Sequence, residues 1–193
     1  MIIAPAKQDT KLPRLLAAAL DLFVKHGIDG TTTAMIARRA RVAEGTIYRH
    51  FKSKEAMAWY IFSTHLAALV ESMQRAVDSA TAARDQLERA IGCVFDFYEA
   101  DPVLFNFILL HRHQELRQMS ADAPSTRKIV LKIIAQGRKT GELATPDAEL
   151  ATAMVQGVVI QIAEAKAYGR LTVDLRALTP QIARVAWQML QPH

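Results

Sequence analysis

Between residues 33 and 54 the chain places hydroxyl, guanidinium and ammonium groups at short intervals: Thr33, Arg38, Arg41, Glu44, Thr46, Tyr48, Arg49, His50, Lys52 and Lys54. Hydroxyls and ammonium groups donate to phosphate oxygens, and an arginine fork can grip two acceptors on one base edge. Interleaved with them are Ile36, Ile47 and Phe51 as apolar anchors and Ala37, Ala40 and Val42 as small contacts. Two short helices joined by a tight turn, apolar beneath and basic above, form a unit that slides a helix into the DNA major groove.

Charge points the same way. Up to Tyr60 there are ten Lys or Arg against five Asp or Glu, so the whole formal excess of +5 lies in the first third. A polyanion is drawn there because neutralising phosphates releases counterions. A solvated basic surface without a partner would carry the same charge.

These residues need elements to hold them, and the periodicity is helical throughout. Leu12, Leu16, Ala19, Leu20 and Phe23 recur at three- and four-residue steps over 12–26, and Gly27 follows as a left-handed stop with Ile28 folding back. Asp101-Pro102, Thr145-Pro146 and Thr179-Pro180 read as helix starts, with a side-chain cap before a proline in the first position. Gly141 and Gly169 read as stops. The remaining segments are 33–40, 44–50, 54–80, 83–100, 102–119, 125–140, 146–168 and 174–190. No alternating strand pattern appears, and Asp29-Gly30 falls between helices. The expectation is an all-α protein of about nine helices. An N-terminal three-helix head with a helix-turn-helix occupies 1–52, and a C-terminal helical body occupies 53–193.

The string GTIYRHFKSKEA at 45–56, preceded by TTTAMIARRA and by a helix ending LFVKHG, resembles the DNA-binding head of the tetracycline-repressor-like (TetR) family. The likeness covers about residues 10 to 60; beyond that only length and helix count agree. It implies that Thr33 bonds a phosphate at the start of the second helix. Glu44, Gly45, Thr46, Arg49 and His50 would lie on the helix that enters the major groove, with Gly45 letting the backbone come close. Tyr48 and Lys54 match positions that hold the DNA backbone. Arg49 is the candidate for a guanine edge, although a phosphate contact would also suit it, and Tyr48 could belong partly to the core. Two departures stand out. Arg41 replaces the usual turn glycine, where a left-handed conformation strains any residue with a Cβ. Ala43 replaces a capping serine, at a cost of about 0.5–2 kcal/mol. The turn is then either shifted or ordered by DNA, and Arg41 compensates with a phosphate contact.

The resemblance further implies a homodimer whose two heads meet successive grooves of double-stranded operator DNA about 34–36 Å apart, released by a small-molecule effector. For the dimer surface the candidates are Val155, Val158, Ile162, Ile182, Val185, Trp187 and Met189, with Gly157 allowing close approach. Burial of both helices in one chain's core is the other reading. For an apolar or aromatic effector the candidates are Phe95, Tyr98, Phe105, Ile108, His111, Met119, Met154 and Gln161. Plain core packing explains the same aromatic residues.

No catalytic motif, phosphate loop or zinc motif occurs, so no enzyme and no catalytic residue is expected. No cofactor is expected either. His111 and His113 point about 200° apart on a helix, a poor metal pair, so no metal site is expected. Cys93 alone forms no internal disulfide and suits a reducing cytoplasm. No secretion signal and no apolar run of membrane-spanning length is seen. The rival to a DNA-binding, repressor-type regulator is a ligand-independent helical adaptor whose basic head binds nucleic acid or an acidic protein. The head lacks aromatic platforms for single strands, which argues against RNA.

Overall fold

The structure, a computed structural model, describes residues 11–115, 120, 123–144 and 147–191, and of 112–115 the backbone only. Among the described residues the chain is built of α1 (Lys11–His26), α2 (Thr33–Ala40), α3 (Gly45–His50), α4 (Lys54–Asp78), α5 (Ala83–Ala100), α6 (Pro102–Glu115), α7 (Thr126–Lys139), α8 (Ala148–Ala167) and α9 (Leu175–Gln188). No strand occurs among them. None of these helices is long and apolar enough to cross a membrane.

Local chemistry explains most of the boundaries. Thr32, Ser53 and Ser125 each accept a backbone N–H with the side-chain oxygen, from Met35, Ala56 and Lys128. This satisfies amides that have no partner within the helix. Gly27 and Gly141 adopt left-handed φ of 72° and 79° where α1 and α7 end. Asp101 caps α6 by accepting the Leu104 N–H at 2.9 Å, as its sequence suggests. The Thr145-Pro146 start lies outside the described residues, and α8 is capped by Asp147, which accepts from Glu149 and Leu150. Thr179-Pro180 is not a helix start. Asp174 caps α9 instead, accepting the Arg176 N–H at 2.8 Å, and Pro180 sits inside the helix. A proline there costs one intrahelical bond, and packing of Leu175, Ala183, Ala186 and Trp187 on the body outweighs it.

Apolar side chains collect into two cores. The head core takes Leu15, Ala19 and Phe23 from α1, Ile36 and Ala37 from α2, Ile47 from α3, and Met57, Ile61 and Phe62 from α4. It also takes Leu104 and Phe107 from α6, so its packing extends well past residue 52. The body core joins the second half of α4 to α5, α7, α8 and α9 through Met73, Leu87, Phe95, Ile133, Ile134 and Trp187. Leu66 and Phe97 touch both cores, which makes α4, α5 and α6 the elements through which the position of the head depends on the packing of the body.

Candidate nucleic-acid interface and effector cleft

The turn between α2 and α3 keeps its register despite the missing glycine. Arg41 itself adopts the left-handed conformation, φ 56° and ψ 50°. Its N–H reaches Arg38 O at 3.2 Å while Val42 N–H reaches Ala37 O at 3.0 Å, the paired bonds of a Schellman stop. Of the two expectations for the turn, the shift does not occur, and the chain carries the strain at Arg41. The start of α3 has no side-chain cap: Glu44 stands at the cap position in helical conformation, without a cap hydrogen bond.

On α3, Ile47 is fully buried while Tyr48 is 56% exposed. Arg49 is exposed, and its guanidinium lies 3.4 Å from the Thr46 hydroxyl, a long and weak contact. Gly45 is exposed, and a Cβ added there would meet nothing within 4 Å. Thr46 departs from its expected outward position because it is buried. His50 is half-buried, its ring 6.3 Å from that of Phe51.

Thr33, Glu44 and Tyr48 come from different elements and converge on one point. The Thr33 hydroxyl donates to Glu44 Oε1 at 2.5 Å, and Tyr48 Oη lies 3.3 Å from the same hydroxyl. Thr33 has a single hydroxyl proton, already given to the carboxylate, so in the second contact the tyrosine is the donor.

Several of the basic residues are committed to the protein itself. Lys54, expected to hold the DNA backbone, donates to Ile28 O at 2.8 Å, Thr31 O at 2.9 Å and Asp29 O at 3.1 Å. An ammonium group has three donors, and these carbonyls occupy them all. The carbonyls converge because the loop after α1 is drawn tight. Gly30 packs so closely on His26 that a Cβ would lie 2.3 Å from its carbonyl oxygen, and the buried Thr31 hydroxyl donates to Gly27 O at 2.7 Å. Arg14 donates to Ala40 O at 2.6 Å, closing the end of α2. Arg39 pairs with Asp21 at 2.6 Å. Hydrogen bonding from Lys25, with Arg39 adding its charge, holds the Asp21 carboxyl below the ordinary range. Arg38, Arg41 and Lys52 are exposed and make no ion pair among the described residues. Arg38 and Lys52 are thus further phosphate candidates, and their lack of ion-pair partners among the described residues becomes visible only in three dimensions.

In the body, the expected effector residues divide among other tasks. Phe95, Tyr98 and Phe105 are core, with the Tyr98 and Phe105 rings edge to face at 5.1 Å. Burial pushes the Tyr98 hydroxyl above its ordinary pKa. Ile108 packs on the head core. His111 lies at the seam between head and body, its ring 4.8 Å from Phe107, where desolvation holds it below the ordinary histidine range against the opposing charge of Asp29. Met119 lies outside the described residues, as do the side chains of His113 and Gln114. Met154 and Gln161 are exposed on the outer face of α8. A cleft of about 580 Å³ opens instead between α4 and α7, walled by Leu66, Ala67, Val70 and Ile129, with Lys128 and Lys132 also lining it.

Of the expected dimer residues, Val155 and Trp187 are buried in the chain's own core. Ile162 and Ile182 pack partly against that core, Val158 and Met189 are half-buried, and Val185 is 42% exposed. An outward stripe on α8 is formed by Leu150, Met154, Gly157 and Gln161. A Cβ at Gly157 would meet nothing within 4 Å.

Residues 15–60 match the family of bacterial regulatory proteins, tetR family. The fatty acid metabolism regulator protein of Bacillus subtilis is 24% identical over 181 residues, 89% of this chain and 91% of that protein. The HTH-type transcriptional activator FasR of Mycolicibacterium smegmatis is 30% identical over 114 residues, 59% of this chain, which spans 52% of that protein's length. The crystal structure of the B. subtilis regulator FadR in complex with stearoyl-CoA superposes with a TM-score of 0.75 at 23% identity, over 93% of this chain and all of that one, a likeness of fold.

Proposed function

The chain belongs to the tetR family of bacterial regulatory proteins, and from that premise we propose that it is a transcriptional regulator, a repressor rather than an enzyme, that works as a homodimer inside the cell. Two copies deliver α3 to successive major grooves of an operator. The observation that carries this reading is the two-sided character of α3: Ile47 is fully buried while Gly45, Tyr48 and Arg49 face solvent. Nothing among the described residues demands glycine at 45. Close approach of a DNA backbone does. Arg38, Arg41 and Lys52 supply phosphate contacts around it, and Arg49 supplies the base contact. The division at residue 52 is a boundary of chain order: recognition lies before it, while pairing and effector binding lie after it.

The same argument supports the dimer. Glycine inside a helix costs about 1 kcal/mol relative to alanine, and Gly157 has no neighbour among the described residues to justify that cost. Close packing of α8 against its two-fold copy supplies one, with Leu150, Met154 and Val185 covered in the same interface. The effector occupies the cleft between α4 and α7, its apolar part on Leu66, Val70 and Ile129. Lys128 and Lys132 suit an anionic end, and the relative solved with stearoyl-CoA carries a ligand of that class. The test is a gel shift with duplex enriched from a random pool. A discrete, salt-sensitive complex supports the reading, and Arg49→Ala then weakens binding by about 1–3 kcal/mol while relaxing base preference. Equal loss on enriched and random duplex removes Arg49 from base reading.

A further inference from the structure

We propose that Glu44 is a specificity-determining residue: its carboxylate holds the phosphate-binding hydroxyl of Thr33 in the free protein and gives it up on a duplex that offers a cytosine amino group. The inference rests on the DNA-binding reading and assigns a task within it. Thr33 opens α2, where the first amides have no partner within the helix, and its hydroxyl donates to Glu44 Oε1 at 2.5 Å. Tyr48, the other backbone-holding candidate, donates to Thr33 across 3.3 Å. Glu44 is exposed and makes no ion pair with any described residue. A negative group thus takes up one of the donors that a phosphate oxygen would use, the Thr33 hydroxyl, on a surface otherwise supplied with Arg38, Arg41, Arg49 and Lys52.

Carboxylate and phosphate cannot share that donor, because both are anions and both only accept hydrogen bonds. When a DNA strand reaches Thr33, Glu44 must turn away. Its place at the leading end of α3 leaves it the groove floor, where cytosine N4 is the donor that acidic side chains recognise. Over a sequence with that donor the carboxylate exchanges one hydrogen bond for another. Over adenine, whose N6 donor is flanked by the acceptors N7 and thymine O4, or where no amino group lies within its reach, the carboxylate is left among phosphates and base acceptors, a repulsion that penalises wrong partners.

The experiment compares the full chain with its Glu44→Gln variant, which keeps size and polarity and removes the charge. Binding to a random-sequence duplex is followed by fluorescence anisotropy, and both proteins are used to enrich sequences from a random pool. The variant is expected to bind random duplex about fivefold more tightly, the scale of one like-charge contact in water, and to lose a cytosine preference that the wild type shows in each half-site. Glu44→Ala repeats the measurement should the glutamine variant melt early. Unchanged affinity for random duplex together with an unchanged enriched sequence overturns the proposal. A wild-type chain that binds no duplex overturns the DNA-binding reading and this proposal with it.

Discussion

Replacing Lys54 with methionine separates two accounts of the most heavily bonded cation in the head. The substitution keeps the apolar stem and removes the ammonium, leaving the carbonyls of Ile28, Asp29 and Thr31 without its donors. Charge-assisted hydrogen bonds contribute about 1.5–3 kcal/mol each where they are buried. The Lys54 side chain is 22% exposed, so water replaces part of what is lost and the bonds do not add. A loss of about 2–3 kcal/mol for the group follows, or about 5–10 °C in melting temperature for a chain of this size. DNA affinity falls because the loop before α2 loosens, and the salt dependence stays as it was, since no phosphate contact is removed. Calorimetry and binding at several salt concentrations read both quantities. A salt slope reduced by about one with an unchanged melting temperature would show that Lys54 meets phosphate, and the clamp argument would be refuted.

Three further outcomes follow from the same geometry. Arg41→Gly relieves a left-handed arginine, so the protein gains about 0.5–1 kcal/mol in denaturant titration while DNA binding loses about one unit of salt slope; a destabilised variant would contradict the Schellman geometry. Because desolvation lowers the folded-state pKa of His111, the unfolded chain binds more protons in the window between that pKa and the ordinary histidine value. Stability is therefore fully present above that window and declines as pH falls through it, and His111→Phe flattens this part of the urea-denaturation profile; equal slopes for both proteins would rule the histidine out. Met154→Glu places a charge on the stripe assigned to the two-fold contact and weakens the dimer by about a hundredfold or more in sedimentation velocity. An unchanged dimer would remove α8 from the interface.

The head was legible in the sequence because its determinants are local. Gly27 after α1 acts within a few residues, as Asp101 before Pro102 does in the body, and the apolar spacing of Ile36, Ala37, Ala40 and Ile47 marks the buried side of α2 and α3. The hold of Lys54 on its own head was not legible because the backbone carbonyls it binds lie more than twenty residues away, brought together by a loop tightened at Gly30. Side-chain spacing carries no trace of such a cage. The body was legible as helices, while the placement of its aromatic side chains was not. A run of aromatic residues marks volume to be filled, and whether it lines a gap or closes one depends on facing helices: Phe105 meets Tyr98 edge-on and closes it. The cleft lies along Leu66, Ala67 and Val70 of α4 and Lys128, Ile129 and Lys132 of α7, and nothing in the order of these residues distinguishes them from other helix residues. On α8, apolar residues recur around most of the helix. They did not show that Val155 faces inward while Met154 faces out, which required the position of α9 and the rest of the body.

The central claim is that a symmetric pair of chains seats α3 in duplex DNA, and sedimentation of the full chain with labelled duplex from the enriched pool tests it most directly. The account predicts a complex of two chains per duplex that dissociates steeply as salt rises and reverts toward random-sequence affinity in Arg49→Ala. A single chain per duplex, or binding indifferent to salt, would contradict it.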